Sequence, residues 1–172
     1  MPLTQVQGGM ILASGQSIPT AALPTGSVLQ VVQGTTNTTT TVSSNTYTDT
    51  TLSASITPTS ATSKILVLVN QQCVVNSYAG PHGLGLRLLR GSTTILEPSP
   101  LDGTGAPFLI YGNTNNGIFT MVSISYLDSP ATTSSTTYKT QGRPYDSTLS
   151  SVQFQTGVTK ATSVIILLEI AA

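Results

Sequence analysis

His82 is the only histidine in the chain, so a Ser-His-Asp triad would have to be built on it, with Asp102, Asp128 or Asp146 as orienter. The surrounding Gly80-Pro81-His82-Gly83 has the composition of a turn, and no Gly-x-Ser-x-Gly elbow presents a nucleophile. Glycoside hydrolysis needs two carboxylates at a set separation. Here the six acidic residues are scattered singly, and Asp49, Asp128 and Asp146 stand in contexts where Asp favours turns. Cys73 is the only cysteine, and neither a Cys/His pair nor an Asp-x-Asp string supplies metal ligands. A phosphate-binding glycine loop with its lysine is also missing. The sequence predicts no enzyme: no catalytic residue, no metal site, no cofactor.

The charged residues that remain are few. Arg87 and Arg90 are three apart, which in a strand sends them to opposite sides of a sheet. One is placed to pair with Glu97 across a hairpin and the other to meet a partner; the alternative is a pair of solvated edge charges that discourage aggregation. Glu169 interrupts the apolar run Val164–Ile170, and a buried carboxylate needs a partner. A Lys or Arg of the same or an adjacent subunit is the expected one.

Charged residues make up 7% of the chain, against about 25% in average globular proteins, and six basic residues balance six acidic ones. Such a surface has no field to attract a polyanion or an anionic membrane, so neither nucleic acid nor membrane is an expected partner. Thr and Ser replace the charge. Thr is β-branched and suits a pleated surface better than a helix. The start, Met1-Pro2-Leu3-Thr4-Gln5, lacks the basic region of a secretory leader. The longest apolar runs, near Ile65–Val69 and Val164–Leu168, are too short to cross a bilayer. The expectation is a protein made in a cytoplasm that acts outside it only within a released particle.

Two regions follow from the punctuation. Residues 1–26 are rich in Pro and Gly around Met10, Ile11, Leu12 and Ile18, which suits an extended arm that attaches to a neighbouring subunit through those apolar residues; a flexible tail is the alternative. Residues 27–172 carry strand signals separated by turn chemistry, and no window holds a helical period. Leu52–Ile56 alternates at period 2, Lys64–Val69 reads as a strand buried on both faces, Ile118–Leu127 reads as the clearest central strand, and Gly91-Ser92 marks a hairpin. Pro98–Gly117 is a long loop with one short strand, in which Phe108, Tyr111, Asn113 and Asn115 form a candidate receptor or partner loop. Gly142-Arg143-Pro144 reads as a turn. Ala61–Leu68 and Ala161–Leu168 echo each other, each a Thr/Ser turn feeding an apolar strand. About 8–10 strands in one domain fit a β-sandwich or jelly roll.

The string Gly26-Ser27-Val28-Leu29-Gln30-Val31-Val32-Gln33, then Leu52-Ser53-Ala54-Ser55-Ile56-Thr57-Pro58 and Ser63-Lys64-Ile65-Leu66-Val67, resembles a virion structural module of tailed bacteriophages, including those of marine and cyanobacterial hosts. Arg87–Thr93, Tyr126–Pro130, Tyr138–Gln141 and Thr162–Ala171 extend the resemblance to the C-terminus. It implies a trimeric jelly roll in a virion, assembled in the host cytoplasm, and it supplies no catalytic residues. Two roles stand open. One is a capsid decoration or cement protein bound to the major capsid protein or another virion protein. The other is a tail or head fibre tip that binds host surface glycans.

Trimer formation has a warrant of its own. Val164, Ile165, Ile166, Leu167, Leu168 and Ile170 put apolar side chains on both faces of one strand, while a small sandwich has one core to fill. Each side chain removed from water contributes about 1.5–3 kcal/mol before ordering costs. The second face needs a further sheet of the same chain or neighbouring copies around an axis.

Overall fold

The computed structural model describes residues 23–77, 81–97, 108–111, 117–144, 150–156 and 161–172. Over these residues the chain is all-β, with eleven strands and no helix: β1 (Val28–Thr36), β2 (Thr40–Val42), β3 (Thr48–Ile56), β4 (Lys64–Ser77), β5 (Pro81–Arg90), β6 (Thr93–Leu96), β7 (Phe108–Tyr111), β8 (Ile118–Asp128), β9 (Thr136–Pro144), β10 (Ser150–Phe154) and β11 (Ser163–Ile170). β6 is the second arm of the expected hairpin and β7 the expected short strand of the long loop. Thr38–Thr51, a run rich in Thr, holds β2 and the first residues of β3.

All pairings are antiparallel and fall into two sheets. In the six-stranded sheet β4 is the spine: β8 runs along one edge, while β11 and then β10 share the other. Ile118–Leu127, read as a central strand, is thus an edge strand among the described residues, because an apolar run does not say on how many sides it will be paired. β1 lies beyond β11 and β2 beyond β10. In the five-stranded sheet the order is β3-β9-β5-β6, with β7 also on β5. The two echoing segments are neighbours: β11 pairs β4 antiparallel, Ile165 with Val69 and Leu168 with Leu66.

The core fills the space between the sheets. Ile65, Val67, Val69, Ile165 and Leu167 project from one sheet, and Leu52, Ile56, Leu84, Leu86, Leu88 and Tyr138 from the other. The alternation read in Leu52–Ile56 holds, since Leu52, Ala54 and Ile56 are buried and the residues between are exposed. Gly91 turns β5 into β6 with φ +59°, a region that costs a residue with a Cβ. Gly142 is needed for space, because a Cβ there would run into the Phe154 ring.

Two expected turns are strands instead. Pro81–Gly83 open β5 and pair β7, and Gly142–Pro144 close β9 against β5. Both prolines sit at a strand end, where a missing N–H costs the ladder least. The sequence shows the turn-prone composition; only the partner strands supply the ladder that overrides it.

Candidate functional site

Period 2 divides β11 cleanly. Ile165 and Leu167 enter the core, whereas Val164, Ile166, Leu168 and Ile170 point outward and are half-buried. β4 behaves likewise over its first half, with Ile65, Val67 and Val69 buried and Leu66 and Leu68 half-buried. The expectation that Lys64–Val69 is buried on both faces is therefore corrected: one face meets the opposing sheet and the other meets solvent. Among the described residues no third layer lies over it.

Register gathers these outward side chains. Val31 pairs Leu168, Leu168 pairs Leu66, and Leu66 pairs Leu127, giving one apolar row across β1, β11, β4 and β8. The adjoining row is Gln33, Ile166, Leu68 and Ser125. The shielding comes from lateral neighbours alone, so the row's ends are open: Val31 is 59% exposed and Leu127 50%. Phe119 and Met121 continue the exposed apolar surface along β8 at 67% and 55%. Lys64, beside Ile170, is the single charged residue among the described outward positions of these four strands. Contiguous exposed apolar surface is, in general, where proteins meet a partner.

The outer face of the other sheet is its chemical opposite. Asp49, Gln141 and Arg87 form a row across β3, β9 and β5. Arg87 donates to Gln141 Oε1 through Nε at 3.0 Å and a terminal nitrogen at 2.7 Å, and to Glu97 at 3.3 Å. Its guanidinium stacks 4.2 Å from the centre of the Tyr47 ring, and that of Arg143 lies 5.1 Å away. Asp49 accepts from Lys139 at 2.8 Å and Gln141 at 2.7 Å. Burial alone would raise the Asp49 pKa, but these hydrogen bonds outweigh it and hold the carboxyl below its ordinary value. Of the two arginines, Arg87 is the one that pairs with Glu97 across the hairpin.

Arg90, on the other side of its strand, reaches across to the second sheet. It donates to both carboxylate oxygens of Asp128, at 2.8 and 3.0 Å, and Tyr138 Oη donates to Asp128 at 2.7 Å. Burial pushes the Tyr138 hydroxyl far above the usual range, and the Asp128 carboxylate adds to the shift. Asp128 is thus a buried strut between sheets rather than a turn residue, and Asp49 likewise lies in a strand.

Glu169 has partners of another kind than expected. Its side chain is buried, yet among the described residues no Lys or Arg bonds to it: Gln30 donates to one oxygen at 2.6 Å, and Thr59 donates to the other from its backbone N–H at 2.7 Å and its hydroxyl at 2.8 Å. Burial raises its pKa, but the hydrogen bonds from Gln30, Ser63 and Thr59 more than offset that and hold it below the ordinary value. Several neutral donors replace one cation because Thr59 and Gln30 sit where the strand ends converge. A shallow hollow of about 250 Å³ lies beside them, lined by Leu23, Leu29, Thr59, Ser63, Ala171 and neighbouring residues.

A polar layer inside the sandwich escaped the sequence reading. Gln71 Oε1 accepts from Thr140 at 2.8 Å and Thr50 at 3.3 Å; Gln71 Nε2 donates to Ser163, which the Gln155 amide also meets at 2.9 Å. Strand parity would have found part of it: Tyr138 points inward, so Thr140 must too.

Of the expected site residues, the terminal strand splits as described. Met10, Ile11, Leu12, Ile18, Asn113 and Asn115 lie outside the described residues, as does the arm they would form. Phe108 and Tyr111 bound β7. The backbone of His82 pairs Ile110 within β5. Among the described residues no group of three or more His, Cys, Asp or Glu could hold a metal ion. Cys73 is a buried thiol whose pKa burial raises far above its ordinary value. Among the described residues no helix is long and apolar enough to cross a membrane.

Geometry of this kind defines a β-sandwich with one self-satisfied polar face and one apolar face that nothing covers among the described residues. Comparison with protein-family models finds no match, and comparison with curated proteins finds none.

Proposed function

We propose that this chain is a structural protein of a tailed-bacteriophage virion, a jelly-roll trimer that decorates the capsid and cements neighbouring capsid subunits. The row Val31–Leu168–Leu66–Leu127 carries the proposal. Three copies packing these rows about an axis remove apolar surface from water while stripping almost no ion hydration, because Lys64 alone carries charge there. A permanent assembly needs that chemistry; an enzyme of this size would need a cleft with convergent titratable groups. The sequence resemblance of residues 26–172 to phage virion modules supplies the particle, and the neutral surface suits close packing there.

Leu168→Lys is the test. A charge at the centre of the row costs its desolvation in the assembly and much less at a half-buried position of the free subunit, so sedimentation at equal concentration should show the oligomer lost and the fold kept. A variant with the wild-type mass would discard the proposal. Counting copies on particles then separates the roles: numbers matching the three-fold positions of a capsid support cement, and numbers matching a tail or fibre axis replace it with the fibre tip.

A further inference from the structure

β8 is the edge strand that the rest of the molecule would lead one to protect. An unpaired edge presents N–H and C=O groups to any strand that arrives, and folded proteins guard edges with brevity, bulges, proline or charge. The other edges here follow that rule. β2, β6 and β7 have 3, 4 and 4 residues, β1 bulges between Val28 and Gln30, and β3 shifts register between Asp49 and Ser53. β8 has none of these devices. It is 11 residues long, pairs β4 in unbroken register from Ile118 to Val75 through Asp128 to Ile65, and contains no proline. Its single charge, Asp128, is at the last position and is consumed by Arg90 and Tyr138. Among the described residues nothing pairs its outer edge.

The geometry points to a second copy of this chain as the occupant: β8 pairs β8 of a two-fold related subunit, antiparallel, with Ser123 on the axis. Ser123 is the midpoint of Ile118–Asp128, so this register is the one of maximal overlap and pairs every residue of the strand. The same register sets Phe119 opposite Leu127 of the partner, twice, and Met121 opposite Ser125. Phe119 and Leu127, two of the exposed apolar side chains of β8, are thereby matched without a slip. Any foreign strand would need a complementary pattern; an identical strand has it by symmetry. The paired sheets become one continuous sheet, joined over about 37 Å at the usual rise per residue. The contact is the backbone edge of β8, whereas the three-fold packing proposed above is centred on Leu168 and Leu66 and meets this edge only at Leu127, the end of its row.

Ser123→Cys tests the contact. Residues directly opposite in an antiparallel pair have Cα atoms about 4.5–5.5 Å apart, within disulfide reach. Cys73 is buried and does not compete. Ser55→Cys, equally exposed on the other sheet, is the control. Under mild oxidation Ser123→Cys should form a disulfide-linked dimer at least about tenfold faster than Ser55→Cys at the same subunit concentration, since paired thiols meet at millimolar effective concentration. Equal rates would overturn the two-fold contact. Ser123→Lys places two like charges on the axis at a solvent-facing position, so the wild type should sediment at no less than twice its mass; equal masses would also overturn it. Leu168→Lys separates the two surfaces: it should leave the Ser123→Cys cross-link intact, so a failed three-fold proposal and a failed edge contact give different results.

Discussion

The two outer faces of the sandwich are built from the same alternating strands and behave oppositely. Asp49, Gln141 and Arg87 cross one sheet as Val31, Leu168, Leu66 and Leu127 cross the other. The polar row satisfies itself, since each group finds a donor, an acceptor or an aromatic face within the subunit. An apolar row has no such option. Its side chains half-shield one another sideways, but only another surface laid on top removes them from water. The contrast teaches where to look for a partner in a protein with few charges: on the face that internal bonding cannot complete.

The largest expected effect breaks the apolar face outright. Ile166→Lys, like Leu168→Lys, should dissociate the assembly, while Ser55→Lys on the opposite face should leave the sedimenting mass unchanged. Next comes a comparison between sequence neighbours. Leu167→Ala empties a fully buried site and should cost about 2–5 kcal/mol in denaturant unfolding, whether or not subunits associate. Leu168→Ala should cost clearly less in a dissociated subunit and approach its neighbour only in the assembled protein. Concentration-independent, equal losses at the two positions would mean that the outward face is covered within the subunit.

Replacing Glu169 with Ala leaves the Thr59 N–H without its acceptor, removes one of the two acceptors of the Gln30 amide, and should cost about 1–3 kcal/mol, read from the urea midpoint. Acid should act through the same residue. The folded-state pKa of Glu169 is depressed, so its contribution is complete above the unfolded value of about 4.3 and is lost as pH falls through the folded one. Stability should therefore drop below about pH 4, and Glu169→Gln should flatten that slope. The smallest effect belongs to the polar face: Arg87→Ala breaks a partly solvated network and should cost at most about 1 kcal/mol. A larger loss there would mean that the face is stabilised by something beyond its own hydrogen bonds.

Much of this was readable in advance, and the residues show why. Leu52–Ile56, Ile118–Leu127 and Val164–Ile170 announce strands because alternation and β-branching are local properties. The Arg87–Glu97 pair follows from a hairpin whose turn, Gly91-Ser92, is itself a sequence signal. Glu169 resisted the same treatment. Its apolar neighbours said that it would be buried, but nothing near it in the chain named Gln30 or Thr59, which are more than a hundred residues away. The strut from Arg90 to Asp128 was missed for a related reason, since each residue alone looks like an ordinary edge or turn charge.

Sequence by itself therefore determined the strand-forming segments, the near absence of charge, and the surplus of apolar side chains on β11. Tertiary structure decided which half of that surplus became core and which became surface. Val31, Leu66, Leu127 and Leu168 are unrelated positions until register sets them side by side. Register depends on pairing between distant strands, where a one-residue slip would turn every one of these side chains to the other face.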